Sequence, residues 1–189
     1  MASINNDDKT NMIKKSVISL LKYLFSSSLE TNNSIMQTHI KELISALSWK
    51  YSESSCKTGS NKIGNPYWSE KAISQYLANE SPVDLIHDHA IPRKLLIDWI
   101  IKNSRNCSEN ELQYFLGRYC FAVIITKGED NELNKNHLKQ KMPKQLADEK
   151  NYVFSLNEDP FERYKTATIN YIKVNWIEDN KKWKMKIYS

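Results

Sequence analysis

Apolar residues recur at three- and four-residue steps along the first third of the chain, the spacing of one face of an α-helix. Ile13, Val17, Leu20, Leu21, Leu24 and Phe25 form one such stripe, from Asn11 to Ser26-Ser27-Ser28. Ile35, Ile40, Leu43, Ile44 and Leu47 form a second, so a helical hairpin is expected. Residues Ser52 to Pro66 are rich in Ser, Lys, Gly and Asn and read as a linker carrying Lys57 and Lys62. Ser69 followed by Glu70-Lys71-Ala72 reads as a helix cap, and Leu95, Leu96, Trp99 and Ile100 mark a helix after Pro92. Ser108 with Glu111 reads as a capping box opening a helix through Leu112, Phe115 and Leu116.

The continuous apolar run Cys120 to Ile125 predicts a strand buried on both faces. A second capping box, Thr126 with Glu129, predicts a helix passing Leu133, which Met142-Pro143 stops. Ile169 to Ile177 and Lys182 to Tyr188 flank Glu178-Asp179-Asn180-Lys181 and read as two strands joined by a turn. The fold expected is α+β: mostly helical, with an embedded strand–strand–helix core and a C-terminal β-hairpin. The segments expected are a disordered tail over 1–10, a helical region and linker over 11–66, a core with a helical insertion over 67–150, and an aromatic-basic β segment over 151–189.

Composition narrows the function classes. The chain has 189 residues, 40 % of them apolar and 26 % charged, which is ordinary for a globular protein with a real core. With only four glycines, no glycine-rich phosphate loop is present. The formal net charge of +5 suits a polyanionic partner. Cys56, Cys107 and Cys120 are far apart and form no CxxC pair, which argues against a zinc ribbon. No signal peptide or membrane span is read, so a cytoplasmic location is expected.

Two of the four histidines fall in His87-Asp88-His89, just before Pro92. A carboxylate is a hard ligand for Mg²⁺ or Mn²⁺, and a neutral imidazole takes a proton near pH 7. Together such groups activate water against a phosphodiester. A solvated turn is the competing reading, since His and Asp are common in turns.

Asp88-His89-Ala90-Ile91-Pro92 resembles the Asp-His-x-x-Pro signature of HNH (ββα-metal, His-Me finger) endonucleases. The strand over Cys120 to Ile125, the helix after Thr126 and Met142-Pro143 follow in the order of a divergent bacterial or phage subgroup. Asp159-Pro160-Phe161-Glu162-Arg163-Tyr164 resembles a short motif that tends to follow. The resemblance spans roughly Trp68 to Tyr164. It implies a first strand near Asp84 to His87, with Arg93 to Tyr119 inserted before the second strand. It further implies His89 as general base and Asp88 as a metal ligand, with Asp130 or Asn131 as the ligand on the helix. His87, on the opposite strand face from Asp88, and Glu129 would support the site. Glu129 also has a plain reading as the capping partner of Thr126, and Asp130 one as an acid favoured by the helix dipole.

The sequence departs from the family pattern in having no histidine at the helix position; His137 comes too late. The middle Asn is not identifiable, Asn103 and Asn106 being guesses. Implied cofactor and partner are one divalent ion, Mg²⁺ or Mn²⁺ in preference to Zn²⁺ or Ni²⁺, and DNA, with RNA not excluded. Arg93, Lys94, Lys139 and Lys141 are the candidate phosphate contacts. Trp183, Met185 and Ile187 read as a buried strand face, with the role of the C-terminal lysines left open. The N-terminal helices offer a homodimer contact. The expected function is cleavage of DNA in restriction, phage defence or a mobile element. The alternative is a degenerate HNH scaffold that binds nucleic acid or a partner protein without cutting.

Overall fold

The computed structural model describes residues 6–26, 34–56, 60–79, 81–179 and 182–187. Residues 1–5 of the expected tail, Lys57 and Lys181 lie outside them. The chain divides into two compact units, one made of 1–54 with 93–121, the other of 55–92 with 122–189. The inserted segment thus belongs with the N-terminal helices, a grouping that segments drawn along the chain do not express. The fold is α+β.

The helical unit holds α1 (Asn6–Ser26), α2 (Ser34–Ser52), α4 (Arg93–Asn103) and α5 (Glu109–Tyr119). Helix α1 starts at Asn6, inside the stretch expected to be disordered, because Asn6 to Thr10 continue the turn that the apolar stripe stabilises. It packs on α2 and α5, and α2 packs on α4. Val17, Ile18, Leu21, Ile44, Leu96, Ile100, Leu112, Phe115 and Leu116 fill the core. The stripe is rotated from the expected one: Ile18 is inside, while Leu20 and Leu43 are 51 % and 45 % exposed. Trp99 stacks on Phe115, ring centroids 3.6 Å apart. Ser108 and Glu111 form the foreseen capping box. Lys22 Nζ, on α1, donates to the carbonyls of Ser104 and Cys107 and so holds the α4–α5 turn.

The apolar run places Cys120 at the start of a strand. It is instead the C-cap of α5, donating from Sγ to Ser48 O at 3.1 Å. Burial pushes its thiol up to about 12.

The second unit is built on a five-stranded sheet in the order β2-β3-β1-β4-β5. The strands are β1 (Tyr67–Ser69), β2 (Leu85–His89), β3 (Ala122–Thr126), β4 (Tyr171–Asp179) and β5 (Lys182–Ile187). β1 and β3 run parallel, and the other neighbouring pairs are antiparallel. β1 is only three residues long, too short for periodicity to reveal. Helix α3 (Glu70–Asn79) follows it at once, with Ser69 Oγ accepting from Ala72 N at 3.0 Å, as the sequence indicates. Helices α6 (Lys127–Lys135), α7 (Pro143–Ala147) and α8 (Glu162–Thr166) complete the unit. Trp68, Ala72, Ile73, Leu85, Ile124 and Val174 form its core, with Tyr76, Ile172, Trp176 and Met185 packed against them. The indole N–H groups of Trp68 and Trp176 both donate to Asn65 O, each at 2.9 Å. One buried carbonyl thereby satisfies the polar atoms of two large apolar side chains.

Candidate functional site

Every residue of β2 pairs with one of β3, from Leu85 opposite Thr126 to His89 opposite Ala122. Side chains alternate along a strand, so Leu85, His87 and His89 leave one face and Ile86 and Asp88 the other. The rings of His87 and His89 accordingly meet edge to face, centroids 5.4 Å apart. His89 is buried, and His87 is half-buried. Burial, with Lys62 nearby, pulls the His87 imidazole down to about 4. His87 faces away from Asp88, as the alternation requires, and His89 shares its face.

Helix α6 begins directly after β3 because Thr126 caps it. Thr126 Oγ1 accepts from Glu129 N at 3.2 Å, while Glu129 Oε2 accepts from Thr126 N at 2.9 Å. The same Oε2 accepts from Ser69 Oγ at 2.6 Å. Glu129 is buried. It therefore acts as a brace between α6 and the start of α3.

Asp130 lies in the next position of the first turn. Its Oδ2 pairs with Lys139 Nζ at 2.8 Å, and its side chain is 15 % exposed. Its charge is felt at Asp88. Asn131 is exposed and makes no side-chain hydrogen bond among the described residues. One residue is a turn of about 100° around a helix, which separates it from the side of α6 that Asp130 occupies.

The residues that fix Asp88 come from α8. Arg163 and Tyr164 are fully buried. Arg163 Nη2 and Tyr164 Oη each donate to Asp88 Oδ2 at 2.6 Å. Arg163 Nη2 also donates to His89 O, and its Nε to Ala90 O at 3.1 Å. Its Nη1 donates to Leu138 O at 2.6 Å and Lys139 O at 3.0 Å. One guanidinium thus ties the end of β2 to the segment after α6, and it holds the backbone of the lysine that pairs with Asp130. The planar five-donor fork of Arg suits this task; a lysine's point charge does not. Burial and the charge of Asp130 push the Asp88 carboxyl upward, and Arg163 and Tyr164 oppose them. The sequence marks the run containing Arg163-Tyr164 but assigns it no role. The available signal is an arginine followed by an aromatic in a short, otherwise polar helix.

Three of the four expected phosphate contacts have protein partners. Arg93 opens α4 in the helical unit, where it donates to Ser45 Oγ and lies over the Trp49 ring at 5.2 Å. Lys139 is bound to Asp130, and Lys141 to Glu149 Oε1 at 2.8 Å. Lys94 is exposed. Asn103 donates to Trp99 O at 2.8 Å within α4.

The candidate donors are carboxylate oxygens, the ligand type that hard divalent ions take. Asp88 lies on β2 and Asp130 on α6, and the bonds they accept from Arg163, Tyr164 and Lys139 fall on Oδ2. Mg²⁺ is commonly held by one or two carboxylates with water completing the shell. Among the described residues no group of three or more His, Cys, Asp or Glu side chains gathers for a metal. None of the family models, curated proteins or solved structures compared with the chain matches it. Among the described residues no helix is long and apolar enough to cross a membrane.

Proposed function

We propose that the chain is a metal-dependent endonuclease that hydrolyses DNA phosphodiesters. The observation that supports this is Asp88 on β2, held by a buried arginine and tyrosine, with the charge of Asp130 on α6 acting on its carboxylate. Asp88 and Asp130 would hold one Mg²⁺ or Mn²⁺, which when bound polarises the phosphate and stabilises the leaving oxygen. Arg163 and Tyr164 keep Asp88 in one rotamer, so its ligating oxygen needs no reordering. Lys139 steadies Asp130 in the same way. His89 is the proposed base, taking a proton from water. It is the last residue of β2. The three cysteines carry no disulfide, which accords with the proposed cytoplasmic setting. The exposed Met12, Leu20, Tyr23 and Leu43 of α1 and α2 are the proposed homodimer contact.

Incubation with supercoiled plasmid and Mn²⁺ tests the reading. Nicking is expected from the native chain and not with EDTA. Loss by at least about 100-fold is expected in His89→Ala, the usual scale for a removed general base. No cleavage by the native chain, or equal cleavage by His89→Ala, would overturn it.

A second reading has its own observation. Each candidate carboxylate already carries a cationic partner, Arg163 on Asp88 and Lys139 on Asp130. A degenerate scaffold that binds DNA or a partner protein without cutting would keep these pairs for stability alone.

A further inference from the structure

Beyond the candidate site, the sheet ends in a two-stranded ribbon with unlike faces. Val174 lies opposite Ile187, Trp176 opposite Met185 and Glu178 opposite Trp183, and this side carries most of the apolar residues. The other side carries Asn175 opposite Lys186, Ile177 opposite Lys184 and Asp179 opposite Lys182, with Lys173 at the same parity. Lys173, Lys182, Lys184 and Lys186 are all exposed. Among the described residues β5 is the edge strand of the sheet.

Alternate residues of a strand are about 6.8 Å apart, so Lys182, Lys184 and Lys186 form an evenly spaced ladder of positive charge. Nucleic acid offers negative charge at about 3.4 Å of rise per strand, so the ladder supplies about one cation per two nucleotides. Asp179 is the acid on this side, bound to Lys184 Nζ at 2.7 Å. An exposed pair of that kind contributes little and exchanges readily for a phosphate. A two-stranded ribbon also has the width the major groove of B-form DNA admits, whereas the A-form groove is too narrow.

We infer that the lysine face of the β4–β5 ribbon is a docking surface for duplex DNA, contacting its phosphates. This rests on the DNA-binding part of the function proposed above, not on cleavage. Lysines on an edge strand also prevent edge-to-edge pairing, but that role requires no dependence of DNA binding on them.

Anisotropy titrations of the full chain with a short labelled duplex, in EDTA, separate binding from cutting. Salt is varied over about 50 to 200 mM. In Lys182→Gln/Lys184→Gln/Lys186→Gln the slope of log K against log salt should fall by about 2 to 3 in magnitude, near 0.9 per lost phosphate contact. A control with the same charge change, Lys9→Gln/Lys41→Gln/Lys71→Gln, should keep nearly the native slope. Failure of the native chain to bind duplex overturns the inference. So does a native slope in the ladder variant, an equal fall in the control, or an equal effect with single-stranded DNA. Binding through the ladder without plasmid nicking would sustain this inference while overturning the nuclease reading.

Discussion

Arg163→Met is expected to destabilise the protein by about 3–5 kcal/mol, the scale for removing one partner of a buried ion pair. The substitution leaves Asp88 buried without its cation and strands the carbonyls of His89, Ala90, Leu138 and Lys139. Buried acceptors without donors carry a desolvation penalty beyond the lost bond. Arg163→Lys should recover little, because one ammonium cannot reach acceptors spread along two segments. Tyr164→Phe should cost far less, on the order of 1 kcal/mol, since it removes one hydrogen bond and keeps the ring. Urea unfolding of the three variants checks the ranking. An Arg163→Met loss under about 1 kcal/mol, within the range of surface ion pairs, would contradict the central position given to this guanidinium.

Stability should also rise steeply with pH between about 4 and 6.5, with His87 responsible for part of the rise. Its imidazole is pulled from 6.5 to about 4 in the folded chain. In that window the unfolded chain binds the proton and the folded chain does not, so stability grows with pH. The contribution is fully present above pH 6.5 and is lost as pH falls through about 4. A tenfold change in proton affinity is worth about 1.4 kcal/mol, so the contribution is at most about 3 to 4 kcal/mol. Carboxylates titrate in the lower part of the range too, so the comparison is with His87→Phe. Urea midpoints at both ends of the window should differ less in the variant than in the native chain. An identical difference would remove His87 as the cause.

Local signals in the sequence carried far. Both capping boxes are present because their mechanism is local, needing only the cap and the residue three positions on. The alternation across His87-Asp88-His89 follows from strand geometry alone, and so does the split of the C-terminal hairpin into lysine and apolar faces. What stayed hidden depends on distant pairing. β1 is a strand only because β3 and β4 flank it. Segment 93–121 belongs with α1 and α2 because their apolar faces bury one another, which spacing along the chain does not express.

The candidate site shows the same division. Asp88 and Asp130 stand out through motif and position. Their relation to Arg163 spans 75 residues for the bond to Asp88, beyond any local pattern. Glu129 has two readings in the sequence; the capping box is present, and its bond to Ser69, 60 residues away, is one that no local pattern carries. Arg93 looks available because it follows Pro92, yet its partners Ser45 and Trp49 come from α2. Charge beside a motif is weak evidence of a ligand contact, since nearby elements compete for it.

The proposed function turns on whether Asp88 and Asp130 take a divalent ion together. The most direct measurement is a Mn²⁺ titration of the purified chain at neutral pH, following unbound Mn²⁺ by electron paramagnetic resonance. Asp130 is partly exposed and Asn131 exposed, so substitutions there leave the core in place. One Mn²⁺ per chain is the expected result, lost in Asp130→Ala and kept in Asn131→Ala. No bound Mn²⁺ in the native chain, or undiminished binding in Asp130→Ala, would contradict the proposal and favour the scaffold that does not cut.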